Sequence, residues 1–149
     1  MQQLLPFYVR FASTLNQYYP EVGNELKHLI TTDFTNIQKQ IEAIPPQAKT
    51  KNIRFIGELV KFGILGEQYA LDCLKVCLDD FNVINIDLVI NLLESCGPFL
   101  VNSLDTGISQ GMSNLLDYLW RIRQKETISS MQANNLDSAY YLCRPSQNP

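Results

Sequence analysis

The sequence predicts an all-α fold of stacked antiparallel helical hairpins, a HEAT- or armadillo-like right-handed solenoid of about three hairpins and a short C-terminal helix. Three observations predict it. Apolar residues recur at three- and four-residue intervals with no competing strand alternation. Proline and glycine punctuate the chain at helix-length spacings. The odd-numbered segments repeat one another, the sign of a stacked architecture. At 149 residues the chain has the length of one domain, able to bury roughly two thirds of its unfolded surface.

Pro20, Pro45-Pro46, Gly63 and Gly66, Asn82, Gly97-Pro98 and Asp105-Thr106-Gly107 divide the chain into six segments of helical length. In the first, Leu4, Tyr8, Phe11, Leu15 and Tyr18 step along one face. In the second, Leu26, Ile30, Phe34, Ile37 and Ile41 do the same. The third, over about 50–65, and the fourth, over about 67–81, are joined by a tight glycine-bearing turn and are expected to pack antiparallel. The hairpins are expected at about 3–42, 50–81 and 85–126, and a last helix at about 135–142, all within a single domain over 1–149.

Superposing segments one, three and five gives offsets of 44 and 33 residues. Arg10, Arg54 and Asp87 then align, as do Thr14, Glu58 and Asn91, and Gln17, Lys61 and Glu94, forming one polar stripe in every copy. Apolar flanks align as well: Val9, Ile53 and Ile86; Phe11, Phe55 and Leu88; Leu15, Leu59 and Leu92. A helix polar only along a narrow stripe must be covered on several sides, which stacked hairpins achieve. Side-by-side stacking of equivalent helices would set Arg54 near Asp87 and Lys61 near Glu94.

Apolar residues make up 46% and charged residues 18%, so the chain carries enough burial to fold. Its apolar runs are short against the roughly 20 residues of a membrane helix, so no span is expected. The net charge of −3 argues against an overall electrostatic grip on nucleic acid. Cys73, Cys77, Cys96 and Cys143 sit inside apolar stretches and read as core residues of a protein in a reducing, cytoplasmic setting.

Chemistry is thinly represented. His28, the single histidine, has Glu25 and Asp33 nearby on an Ile- and Leu-rich helix, with no spacing that builds a triad. Cys73 and Cys77 share a helix face but lack a second closely spaced ligand pair for a tetrahedral metal site. Gly57, Gly63 and Gly66 form no phosphate loop, since no strand precedes and no Gly-Lys-Ser/Thr follows. No catalytic residue, cofactor or metal is expected. Two candidate surfaces remain. Gln68, Asp72, Lys75 and Asp79 form a stripe on the fourth helix, suited to protein contact because the second helix of a solenoid hairpin commonly lines the binding face. Lys49, Lys51 and Arg54, with Arg121, Arg123 and Lys125, are candidate RNA contacts, although cations also suit helix C-termini.

The run Arg54-Phe55-Ile56-Gly57-Glu58-Leu59-Val60-Lys61-Phe62 resembles the signature helix of the middle domain of 4G-type translation initiation factors. Leu92-Leu93-Glu94-Ser95-Cys96-Gly97-Pro98-Phe99-Leu100, Ala139-Tyr140-Tyr141-Leu142-Cys143-Arg144-Pro145 and Pro6-Phe7-Tyr8 narrow the likeness to the up-frameshift regulators of nonsense-mediated mRNA decay. There the chain resembles the later part of the second of three such domains. The resemblance implies HEAT-like hairpins, a non-enzymatic scaffold, and membership of a complex with the up-frameshift helicase and the exon-junction-associated up-frameshift partner. It also implies that those partners are held mainly elsewhere, by a third domain and a C-terminal tail, so no partner-binding residue carries across. Further helices ahead of residue 1 are expected on the same ground. The superfamily also contains translation-initiation and splicing platforms that grip RNA helicases.

Overall fold

The computed structural model describes residues 4–125 and 127–145. The described residues form seven α-helices and no strand: α1 (Leu5–Tyr18), α2 (Pro20–Lys39), α3 (Pro46–Lys61), α4 (Glu67–Asp79), α5 (Val83–Val101), α6 (Thr106–Lys125) and α7 (Ser130–Cys143). They divide between Gly66 and Glu67 into two compact units. The helical reading of the sequence therefore holds. The expected hairpin limits at Gln3 and Glu126 fall outside the described residues.

In the first unit, α1, α2 and α3 pack against one another in every pairing. Each of these helices has proline in its first two positions, where the missing N–H would have had no partner inside the helix. Proline at this position moves the start of α3 to Pro46, four residues ahead of the expected 50. The α1–α2 corner is held by Asn16, whose Oδ1 accepts from the Gly23 amide at 3.1 Å, and a Cβ at Gly23 would collide with that side chain. Helix α3 ends in a Schellman motif. The Ile64 amide returns to the Leu59 carbonyl at 2.9 Å and the Gly63 amide to Val60 at 3.1 Å, with Gly63 at φ +79°.

The packing face of α1 differs from the expected one. Leu5 and Val9 are buried, whereas Tyr8, Phe11 (66% exposed) and Tyr18 (74%) point outward. Helix α1 is apolar on two faces, and α2 and α3 cover only the one that carries the branched side chains. On α3 the packing face is Ile53, Ile56 and Leu59, all essentially inaccessible.

In the second unit, α5 packs against α4, α6 and α7, and α4 also packs against α6. Polar caps replace proline at its helix starts. Asn82 Oδ1 accepts from the Asn85 amide at 2.9 Å to open α5, Asp105 Oδ1 accepts from Gly107 at 2.8 Å to open α6, and Ser129 Oγ accepts from Gln132 at 3.2 Å to open α7. The Ser129 cap places the start of α7 five residues before the expected 135.

Helix α5 is long and apolar enough to cross a membrane by length and composition, but most of it is buried inside the fold, as in the core helix of a packed unit. It also runs through Gly97-Pro98, which the sequence suggests as a break. Proline inside a helix costs about 3 kcal/mol. Leu88, Val89, Leu92, Leu93 and Leu100 are each 3% exposed or less, and each gains about 1.5–3 kcal/mol from burial, so continuing the helix through Pro98 is the better solution. Asn102 then closes the end, donating from both its backbone and its side chain to the Pro98 carbonyl at 3.1 and 2.9 Å.

The most extensive packing in this unit is between α5 and α7, and two features hold α7 in place. A Cβ added at Gly97 would run into Cys143 Sγ, so α7 sits in a notch that only glycine provides. Beside it, Arg144 ties the end of α7 to α6. Its guanidinium donates to Asp117 Oδ1 at 2.6 Å, to the Ser113 carbonyl at 2.9 Å and to Ser113 Oγ at 2.8 Å. Gly97→Ala is therefore expected to lower stability by about 1–3 kcal/mol despite alanine's better helix propensity. Adding Cys143→Ala, which removes the clashing sulfur, should recover most of that loss. Thermal unfolding of both single variants and the double variant measures this coupling, and simple additivity would disprove the notch.

Candidate functional site

The residues best equipped for chemistry are turned inward. All four cysteines are buried and none forms a disulfide. Burial raises the thiols of Cys73, Cys77 and Cys143, Cys77 to about 12 and Cys143 to about 11, where the neighbouring Arg144 only partly offsets the effect. A thiol held neutral and out of solvent is a poor nucleophile at neutral pH. No group of three or more His, Cys, Asp or Glu able to hold a metal ion occurs among the described residues. His28 lies exposed on α2.

The expected protein-contact stripe is on the surface. Gln68, Asp72, Lys75 and Asp79 are all solvent-accessible on one side of α4, and Gln68 Nε2 donates to Asp72 Oδ1 at 2.9 Å. The opposite side of α4, through Ala70, Leu71, Leu74, Cys77 and Leu78, is fully buried. The stripe is thus a coherent outward face carrying both signs of charge.

The candidate RNA contacts fare unevenly. Lys49 is not a surface cation, which corrects the expectation. It is 6% exposed and its Nζ donates to the Ile41 carbonyl at 2.9 Å. The register accounts for this, because Lys49, Ile53 and Ile56 follow at i, i+4 and i+7 on the buried face of α3. Arg123 is engaged by Asp137 through two parallel bonds of 2.7 and 2.9 Å and lies over the Trp120 ring at 5.9 Å. Arg54 is half-buried, while Lys51, Arg121 and Lys125 are exposed. The structure therefore leaves three fully exposed members of that set, one on α3 and two on α6.

The register stripe also has local partners. Lys61 Nζ lies 2.8 Å from Glu58 Oε1 on its own helix, and Asp87 Oδ1 accepts from Gln132 Nε2 at 3.0 Å. Gln132 sits beside a groove of about 690 Å³ between the start of α5, the 127–129 segment and the start of α7. Val83 and Met131 on its rim are well exposed.

Segments that carry the sequence resemblance meet in space. Gly97 of the 92–100 segment receives Cys143 of the 139–145 segment, and Tyr140 and Tyr141 pack around Trp120 at ring separations of 4.8 and 6.1 Å. These contacts seat α7 against α5 and α6.

Comparison with known proteins agrees with this arrangement. The model of the MIF4G domain family matches residues 1–146. Regulator of nonsense transcripts UPF2 of Arabidopsis thaliana is 37% identical over 143 residues, covering 96% of this chain and 12% of that relative. Regulator of nonsense transcripts 2 of Homo sapiens is 34% identical over 142 residues, covering 95% of this chain and 11% of its own length. Nonsense-mediated mRNA decay protein 2 of Schizosaccharomyces pombe is 25% identical over 142 residues. The chain thus spans about an eighth of the length of the curated relatives it matches.

The buried thiols make a measurable prediction. A thiol-specific reagent at pH 8 should modify the native chain slowly and modify all four cysteines after denaturation. Below pH 9 the Cys77 thiol is neutral whether the chain is folded or unfolded. Above that pH the unfolded chain releases the proton while folded Cys77 keeps it until about pH 12, so stability falls as pH rises through this window. Thermal melts across that range should show a shallower decline in Cys77→Ala.

Proposed function

Because the chain belongs to the MIF4G domain family, we propose that it is a non-enzymatic scaffold of a nonsense-mediated mRNA decay factor, supporting assembly of the up-frameshift surveillance complex. The observation that carries this reading is the extent of the likeness: relatives whose names place them in nonsense-mediated decay align over 95–96% of the chain. The chemistry supports it. The thiols are buried and the 92–100 and 139–145 segments seat α7, which leaves the outward faces as the means of action. Such a module works by position, in the cytoplasm, holding other decay proteins at fixed spacing. The α4 stripe of Gln68, Asp72, Lys75 and Asp79 is the face proposed to meet a protein partner.

Rim charges of this kind set association rate and partner choice more than they set total affinity. Affinity capture from RNase-treated extract is expected to recover decay factors, including the up-frameshift helicase, with the wild-type chain. The variant Asp72→Lys/Asp79→Lys should recover several-fold less at unchanged thermal stability. Recovery of initiation or splicing factors without decay factors would overturn the reading in favour of another platform of the same family. Loss of all capture on RNase treatment would point to RNA as the bridge, through Lys51, Arg121 and Lys125.

A further inference from the structure

The fold leaves open the apolar seam that the sequence marks on α1. Leu4 at the helix cap, then Tyr8, Phe11, Leu15 and Tyr18, follow in alternating steps of four and three residues, with Phe7 beside them. That is the spacing by which two helices meet along nearly aligned axes. Helices α2 and α3 take the other side of α1, where Leu5 and Val9 are buried. Phe7, Tyr8, Phe11 and Tyr18 are each more than half exposed, and Leu4 is nearly so. Leu15 is partly exposed.

Exposed to this extent, four aromatic side chains of about 150–250 Å² each, with the two leucines, present roughly 600 Å² of apolar surface in one strip. A strip of that area reaches the upper end of what a monomer leaves in water. Closed against a second strip of equal size it buries about 1,200 Å² in total, the lower bound for a specific protein interface. The seam carries no charge, because Arg10, the one charged residue of α1, is displaced from it by the helical register. Nothing along it therefore selects an unlike partner by electrostatics.

The seam is also symmetric about Phe11. Leu4 and Tyr18 stand seven residues to either side of it, and Phe7 and Leu15 stand four. We propose that the α1 seam binds the α1 seam of a second copy of this chain, antiparallel, in a two-fold dimer. Leu4 lies on Tyr18 of the second copy, Phe7 on Leu15, and Phe11 on its own counterpart at the axis, the self-matching arrangement that an isologous contact requires. Antiparallel helices also set opposite ends of their dipoles together. An interface of this small area, without charge pairs, supports a micromolar dimer and not a permanent one. The seam stands on the first unit alone, so its fate is separate from that of the decay assignment and of the α4 stripe.

The test is sedimentation equilibrium of the 149-residue chain in reducing buffer from about 1 to 200 μM, where a monomer–dimer equilibrium with no larger species is expected. Phe11→Glu sets two carboxylates against each other at the axis and should hold the chain monomeric throughout, whereas Val76→Glu, at an exposed apolar position on α4, should leave the dimer intact. Mild oxidation supplies a second readout that needs no destabilising charge. Phe11→Cys should give a disulfide-linked dimer, while Tyr18→Cys should not, because its counterpart lies at the far end of the seam. The four native thiols are buried, so background cross-linking stays low. A monomer at every concentration, growth beyond the dimer, a dimer that survives Phe11→Glu, or equal cross-linking through positions 11 and 18 would each overturn the proposal.

Discussion

The second unit depends on a single helix that is apolar around most of its circumference. Helix α5 cannot leave any broad face in water, so it draws α4, α6 and α7 around itself. This constraint explains why α5 tolerates Pro98 in its body and why Gly97 must be glycine: the face toward α7 is closed by backbone-close packing on Cys143. It also decides the chemistry. Three of the cysteines lie on α4 and α5, on sides that this packing closes, and the same burial that completes the core holds the Cys73 and Cys77 thiols neutral.

The first unit obeys the same sequence pattern with a different outcome. Val9, Ile53 and Ile86 align at offsets of 44 and 33 and are all buried, as the repeat requires. Phe11, aligned with buried Leu88, is 66% exposed. Phe7, Phe11 and Tyr18 follow at i, i+4 and i+11 along α1, so the exposed aromatics trace a face rather than scattered positions.

Much of the fold was legible because helix-forming signals are local. Proline at helix starts, the Gly63 turn and the three- and four-residue apolar spacing act within a few residues, so segment number and type could be read from the chain. Facing was harder to read. On α1 the periodicity of Leu4, Tyr8, Phe11, Leu15 and Tyr18 is genuine, yet Leu5 and Val9 form a second apolar line, and only the neighbouring helices decide which line is covered. The break expected at Gly97-Pro98 failed for the same reason, since local propensity yields when tertiary burial is large enough. Lys49 misled because charge was weighed ahead of register. The buried role of Asn52 had a signal in the chain: the repeat offsets align Asn52 with Asn85, and a polar residue recurring on a packed face calls for a partner.

Asn52 and Asn85 occupy equivalent positions and both are buried, but their surroundings differ. Asn85 donates from Nδ2 to the Asp80 carbonyl at 2.7 Å in its own approach to α5, and its amide accompanies the Asn82 cap that opens the helix. It is part of the machinery that starts α5. Asn52 lies within α3, past its first turn, where no helix start needs it, and it reaches across to α2, donating to the Ile30 carbonyl at 3.2 Å. The same residue type thus supports a helix start in one copy and a helix–helix contact in the other. A repeat can therefore keep a residue while changing what that residue does, because the neighbouring elements, and not the position in the period, set its partner.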